Sequence, residues 1–337
     1  MCGLRQLCVL LSGLLPAAVL AAVSPSQLAI VINTNDPDSR ETGRYYRQQR
    51  HIPEQNIIEI ALPVTAVVSE QVFNQQRQAL YRQTPANVQF YALAWTQPYR
   101  VGCMSITSAI TFGFDKAYCA KGCNATRRSA YYNFDGDAPY DSLGIRPSML
   151  LAGSSPAQVE AMIDRGVKSD GSFPGGTAYL LSTTDKARNV RAWRYPVIRQ
   201  RLSSRLKIQL LEADALKDKH DVLFYFTGRA RVQAVQSNRF LPGAIADHLT
   251  SWGGVLFGKK QMSVLKWLDA GATGSYGTVI EPCAFTQKFP NPGIVIDRYT
   301  RGESLIEAYW KSVAWPGQGL FVGEPLASPF ATRRQSE

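Results

Sequence analysis

DVLFYFTGRARV (221–232), LPGAIADHLTSWGG (241–254) and LKWLDAGATGSYGTVIEPC (265–283) are the three pieces of sequence that decide the fold. Each carries an apolar segment that ends in glycine, a hydroxyl residue or an acid. Short apolar runs bounded by such turn formers read as buried strands running out into loops. In an open parallel α/β sheet, ligands bind in the crevice at the carboxyl ends of the strands. The loops after these strands are therefore where a site is expected.

Upstream, QLAIVIN (27–33), NIIEIAL (56–62) and VQFYALAW (88–95) read as three more strands. Helical stretches separate them over 39–50, closed by His51-Ile52-Pro53, and over 69–83, where Val72, Phe73, Gln76 and Leu80 recur at helical spacing. A β-α-β-α-β order specifies a parallel sheet with helical crossovers. Further on, 148–152 reads as a strand, Ser155 caps a helix with Pro156 at its first position, and 177–182 is another strand. The basic run 188–219 reads as mostly helical, with Val197, Leu202, Leu206, Ile208, Leu210 and Leu211 as its apolar stripe. It is expected to be the solvated face of a crossover helix; a helix lying on an anionic surface is the alternative. Helices follow over 259–270, 293–300 and 303–311, and a last short strand begins at Gly319.

The stretch 97–146 breaks the alternation and reads as a loop-rich insertion. Loops of this length in compact domains are functional or pinned down. Asp135, Asp137 and Asp141 offer oxygen ligands of the kind calcium takes, but the later glutamate of a complete loop is missing. A turn with solvated aspartates is the expectation, and no metal is assigned.

The chain has 337 residues, 45% hydrophobic and 19% charged, with a formal net charge of +11. That is a globular composition. The positive charges are scattered, with one concentration over Arg188 to Lys207; with export also expected, no nucleic-acid partner is expected, and the partner is otherwise unspecified. Arg5 followed by an apolar core over 7–20 and small residues at Ala21 and Ala22 reads as a secretory signal over 1–22. It is too short to span a bilayer, and no transmembrane segment is expected later. Residues 23–330 then form a single α/β domain and 331–337 a polar tail, in a protein exported to the periplasm or beyond.

Beyond the signal stand Cys103, Cys119, Cys123 and Cys283, an even number that suggests a disulfide framework in an exported protein. No histidine lies near the Cys119–Cys123 pair, which argues against zinc. One arrangement joins Cys103 to Cys283 across the top of the sheet and Cys119 to Cys123 locally. The competing reading is a thiol at Cys283 with His248 as its base, since both lie just past strand ends. Asp247 and Glu281 sit at the same edge, as an acid/base pair or as caps for loop amides. Arg229 is an anion ligand or a surface arginine. No Gly-x-Ser-x-Gly elbow, phosphate-binding loop or dinucleotide fingerprint occurs, and no cofactor is expected.

The order of further motifs carries a resemblance. Ile30-Val-Ile-Asn, Asp38-Ser, Tyr45-Tyr and Arg50-His-Ile-Pro open it. Pro242-Gly-Ala-Ile-Ala-Asp-His-Leu-Thr-Ser and Gly271-Ala-Thr-Gly-Ser-Tyr-Gly-Thr-Val-Ile-Glu-Pro form its centre. Phe289-Pro, Gly302-Glu-Ser-Leu-Ile-Glu-Ala-Tyr-Trp and Gly323-Glu-Pro-Leu-Ala-Ser-Pro-Phe close it. Over nearly the whole chain beyond 1–22, these resemble a family of exported bacterial proteins of unknown function. More distantly the chain is similar to the gingipain-type cysteine peptidases. That likeness implies a three-layer α/β fold with a mostly parallel sheet, caspase-like in architecture. It also implies a His-Gly after one strand and a cysteine after the next. Here those stretches read Tyr225-Phe-Thr-Gly-Arg-Ala and Ala246-Asp-His-Leu-Thr-Ser-Trp. The expected function is accordingly binding on a peptidase-like scaffold. The alternative is a hydrolase with an atypical site at His248, Glu281, Cys283 or Asp247.

Overall fold

A computed structural model describes residues 22–120 and 123–332. The signal segment, but for its last residue, and most of the polar tail lie outside the described residues.

Thirteen strands appear along the described chain: β1 (Leu28–Asn33), β2 (Ile57–Ile60), β3 (Val67–Val68), β4 (Phe90–Leu93), β5 (Arg100–Val101), β6 (Met104–Ser105), β7 (Ser148–Leu150), β8 (Thr177–Ser182), β9 (Lys207–Glu212), β10 (Val222–Thr227), β11 (Phe240–His248), β12 (Gly274–Thr278) and β13 (Gly319–Gly323). The α-helices are α1 (Pro37–Arg50), α2 (Glu70–Gln83), α3 (Ile106–Phe112), α4 (Pro139–Leu143), α5 (Pro156–Ser169), α6 (Tyr195–Leu202), α7 (Leu265–Asp269), α8 (Pro292–Thr300) and α9 (Leu305–Ser312). Ten strands form one sheet in the order β2-β1-β4-β7-β13-β12-β11-β10-β8-β9, and β3, β5 and β6 form a small second sheet.

All neighbours in the large sheet run parallel except β12 and β13, which are antiparallel with Gly274 opposite Gly323 and Thr278 opposite Gly319. The other pair of β13, with β7, is parallel. The sheet is therefore two parallel halves of five strands pointing in opposite directions, joined at one antiparallel seam. The carboxyl ends of β8 to β12 lie at the end of the sheet where the other half has its amino ends.

Both faces are covered. Helices α1, α5 and α7 pack together on one face. On the other, α6 meets α8 and α8 meets α9, Trp310 of α9 meets Phe112 of α3, and Arg77 of α2 donates to the carbonyl of Ile110 in α3. Strands covered on both sides have no polar face, which is why β1 and β10 are buried at every position and read as unbroken apolar runs. One apolar cluster extends from Leu28 and Ile30 in one half to Phe224 and Ile245 in the other. Each such fully buried side chain contributes about 1.5–3 kcal/mol.

Local chemistry sets the helix starts. Asp36, Ser69, Ser155 and Asn291 each accept a backbone N–H at the first turn of α1, α2, α5 and α8, and Ser304 forms a capping box with Glu307 at α9. Such caps satisfy donors that the helix leaves unpaired.

Two readings of the sequence are corrected. The basic run 188–219 is not mostly helical: α6 covers eight residues, and 207–212 forms the edge strand β9, parallel to β8. Ile208 and Leu210, two apart, follow a strand period as well as a helical one, and an edge strand tolerates the flanking Lys207 and Glu212. The stretch 259–270 is helical only over 265–269. Ser263 accepts the amide of Leu265 at the start of α7, while Gln261 and Met262 are held by tertiary bonds instead.

The insertion connects the carboxyl end of β4 to the amino end of β7. It comes to rest on the carboxyl end of α9, where the amides of Ser129 and Asn133 donate to the carbonyls of Ala314 and Lys311, and Cys123 reaches the loop after β12. The bridges are Cys103–Cys119 and Cys123–Cys283, not Cys103–Cys283 and Cys119–Cys123. The turn over Lys116–Tyr118 carries Cys119 back to the β5–β6 turn that holds Cys103. Cys123 is left to close onto the loop after β12.

Candidate functional site

The edge expected to carry a site is formed by the carboxyl ends of β8, β10, β11 and β12. After β10, Gly228 lies so close to the backbone of Arg188 that a Cβ would sit 2.0 Å from that carbonyl oxygen; only glycine fits. Arg229 follows. Its guanidinium pairs with Asp214 at 2.6 Å and donates to Thr184 at 3.1 Å. Amide and hydroxyl hydrogen bonds from Thr184, with Arg229 beside it, hold the Asp214 carboxyl below its usual range.

Side chains alternate across β11, so Asp247 and His248 point to opposite faces of the sheet. Asp247 is buried and pairs with Arg191 at 2.6 Å. Burial pushes its carboxyl up, against the pull of that guanidinium. Arg191 also donates to the carbonyls of Thr227 and Pro290, which ties the end of β10 to the segment before α8.

His248 faces α7. Its Nδ1 accepts the indole N–H of Trp267 at 2.9 Å, and its Nε2 lies 3.0 Å from the carbonyl oxygen of Met262. Because Nδ1 must accept, Nε2 carries the proton and donates. Burial pushes the imidazole down to about 4, with the nearby positive charges of Arg191 and Arg188 acting the same way. Both ring nitrogens are thus occupied, and the ring is 1% exposed.

Cys283 is bonded to Cys123, and its amide donates to Oε1 of Glu281 at 2.8 Å. Glu281 is exposed and closes a loop turn. The four residues expected at this edge therefore fall into three places: Asp247 beneath one helical layer, His248 beneath the other, and Glu281 with Cys283 in the loop after β12. Asp135 is separately paired with Arg298 and Asp141 accepts from Gln89. Among the described residues, no group of histidine, cysteine, aspartate and glutamate side chains could hold a metal ion.

What the edge does contain is a cleft of about 480 Å³, lined by Arg100, Trp252, Val255, Gly258, Lys259, Lys260, Gln261, Val279 and Ile280. Its wall is the loop between β11 and α7. That loop lies against β12 because glycine meets glycine: a Cβ on Gly254 would sit 2.5 Å from the carbonyl oxygen of Gly277. Gln261 holds the wall in shape by accepting from the Thr250 hydroxyl at 2.7 Å and the Trp252 amide at 2.8 Å. Thr250 in turn accepts from Arg188. Three cations and no acid line the cleft. The Lys260 ammonium stands 5.2 Å from the centre of the Trp252 ring, and among the described residues the buried Nε of Arg100 has no hydrogen-bond partner.

Sequence reasoning placed the edge and missed these cleft residues. Trp252 beside Lys259-Lys260 is the signal that was present: an aromatic and two cations in a loop just past a predicted strand end. Arg191, the partner of Asp247, lies 56 residues away in a run read as surface.

No protein-family model and no curated protein matches the chain. Among solved structures it is similar to the complex of Porphyromonas gingivalis RgpB pro- and mature domains. That likeness has a TM-score of 0.50 at 10% identity, covering 90% of this chain and 79% of that one. A structure described as a protease has a TM-score of 0.41 at 11% identity, over 77% of this chain and 60% of the other. At such identities the first of these establishes the fold alone. The chain has a caspase-like α/β architecture with a large, mostly parallel sheet. After β10 stand Gly228 and Arg229, and β11 ends in Asp247-His248.

Proposed function

We propose that this protein is an exported binding protein built on a peptidase-like scaffold, with the Trp252 cleft as its ligand site. The observation that carries this reading is the state of the edge's reactive groups. His248 is neutral, buried and bonded through both nitrogens, and Cys283 is bonded in a disulfide. A thiol nucleophile needs a free sulfur with a base in reach, and the sulfur of Cys283 and both ring nitrogens of His248 are already engaged. The cleft has the features of a binding site instead: an aromatic face, apolar walls and convergent cations. Its ligand class is an anion with a planar or apolar body, stacked on Trp252 and neutralised by Lys259, Lys260 and Arg100. Two disulfides and the leader-like sequence over 1–22 support an oxidising, extracytoplasmic location. No helix among the described residues is long and apolar enough to cross a membrane.

The test uses the aromatic anion 1-anilinonaphthalene-8-sulfonate as probe, titrated into the intact protein with tryptophan fluorescence as readout. Saturable binding is expected, weakened about tenfold or more by Trp252→Ala and by Lys259→Glu with Lys260→Glu. Unchanged binding in both variants would remove the cleft from consideration. Hydrolysis of casein by the purified protein, abolished in Glu281→Gln, would replace the binding reading with the hydrolase.

A further inference from the structure

On the α8 side of the sheet, away from the Trp252 cleft, a groove of about 550 Å³ runs between α6 and α8. One wall follows α6 and its flanking turns: Trp193 and Arg194 before the helix, Val197, Ile198, Arg201 and Leu202 on it, and Arg205 after it. The other is Ile294, Asp297 and Arg301. Both repeat at intervals of three and four, so each presents one continuous face to the groove. The floor is closed where α6 approaches Gly293: a Cβ there would sit 3.1 Å from Ile198.

Two features set this groove apart. First, apolar surface is left open in it. Six large apolar side chains are exposed in the described chain, and two of them, Trp193 at 68% and Val197 at 46%, stand four residues apart here. Second, its charge is one-sided. Four arginines rim the groove against one acid, Asp297. Asp297 is already shared by Arg205 at 2.7 Å and Arg301 at 3.0 Å. Arg194 lies over the ring of Trp193, 4.2 Å away, and among the described residues neither Arg194 nor Arg201 is ion-paired with an acid. The amino end of α8, at Asn291 and Gly293, opens on the same groove and adds its partial positive charge.

We infer that the groove between α6 and α8 docks an acidic peptide segment of a partner protein, with one apolar side chain of that segment seated against Trp193 and Val197. Tryptophan and arginine are the residue types that dominate binding energy when a partner covers them. An arginine fork also matches the carboxylates of aspartate and glutamate in a way that a lysine does not. The remaining occupants fit less well. A second copy brings the same formal charge of +11 to a face that is already basic. The stretch 333–337 carries two arginines against a single glutamate, and residues 1–21 carry no acid at all. A bilayer takes up a continuous apolar face of a helix, whereas here only Trp193 and Val197 project, and Ile198 and Leu202 between the arginines lie recessed at 7% exposure each.

The experiment is fluorescence anisotropy on the intact protein. The probe is a fluorescein-labelled peptide with a central phenylalanine flanked by aspartates and glutamates. Saturable binding that falls with added salt is expected, with Trp193→Ala and Arg201→Glu each weakening it about tenfold or more. Both side chains are exposed, so neither variant threatens the fold. Lys260→Glu, in the other cleft, is expected to leave the affinity unchanged, which keeps this result separate from the fate of the Trp252 site. Three outcomes would each overturn the inference. One is equal binding by the peptide with asparagines and glutamines in place of its acids. Another is full affinity in both groove variants. The third is binding to phosphatidylglycerol vesicles, lost in both variants, with no peptide binding.

Discussion

At the scale of single residues, His248 decides how the edge is understood. In a sequence, a histidine just past a strand end beside an aspartate invites a catalytic role. In the fold, its ring is a structural cross-link between β11, Trp267 of α7 and the carbonyl of Met262. The link requires a neutral ring. Since burial holds the folded value at about 4 and an unfolded histidine titrates near its ordinary 6.5, the unfolded chain takes up a proton first as pH falls. This contribution to stability is complete above about pH 6.5 and is lost as pH drops toward 4, amounting to roughly 3 kcal/mol. The imidazole of His248 is therefore expected to stay neutral at pH 5, with the proton on Nε2. Long-range nitrogen–proton NMR reads this directly, and a midpoint near 6.5 would contradict the arrangement. Asp247 carries a parallel lesson. Its position on β11 was legible from the apolar run before it. Its partner was not, because the chain brings Arg191 to it from a loop whose basic composition resembles a solvated surface.

At the scale of elements, the sequence was most informative where period and caps agree. The strands β1, β8, β10 and β12, and the helices α1, α2, α5, α8 and α9, lie where apolar runs, Ser, Asp or Asn caps, and prolines put them. It was least informative where tertiary contacts override local pattern. Strand β9 shares its leucines with a helical period, and the glycine at 254 has no local reason at all; its reason is Gly277, across the loop. The cysteine count implied two bridges but could not supply their pairing, which depends on where the insertion comes to rest. The two bridges differ in reach. Cys103–Cys119 closes a separation of 16 residues and Cys123–Cys283 one of 160. By loop-closure entropy they restrict the unfolded chain by about 3 and about 5 kcal/mol. Replacing Cys123 and Cys283 together by serine is expected to lower the denaturant midpoint more than replacing Cys103 and Cys119. Equal or reversed shifts in urea unfolding would count against the pairing or against the fold of the insertion.

For the whole molecule, the seam between β12 and β13 raises the question of whether the two halves are one cooperative unit. The strand ladder is continuous across it, the apolar cluster spans both sides, and the Tyr299 hydroxyl of α8 donates to the carbonyl of Gly243 in β11. A single transition is expected in equilibrium unfolding. Far-ultraviolet circular dichroism and tryptophan fluorescence should coincide, since Trp95 lies in one half and Trp267 in the other. Two separated transitions would mean that the halves fold as independent units. The seam also explains why the edge formed by the strand ends was legible in the sequence and its neighbourhood was not. The carboxyl ends of β10 to β12 can be listed from local pattern. That the insertion after β4 lands beside them follows only from the reversal of direction between the halves.

That reversal has a consequence for the order in which the protein can be made. Strand β13 follows every other strand in the chain, yet it stands in the middle of the sheet, with four strands on one side and five on the other. A chain that emerges amino end first, from a ribosome or through a translocation pore, can pair β1, β2, β4 and β7 early and β8 to β12 later. Each block then keeps an open edge until residues 319–323 arrive between them. The wait leaves the chain threadable until nearly all of it has emerged, and the same wait exposes two sticky edges to any chaperone present.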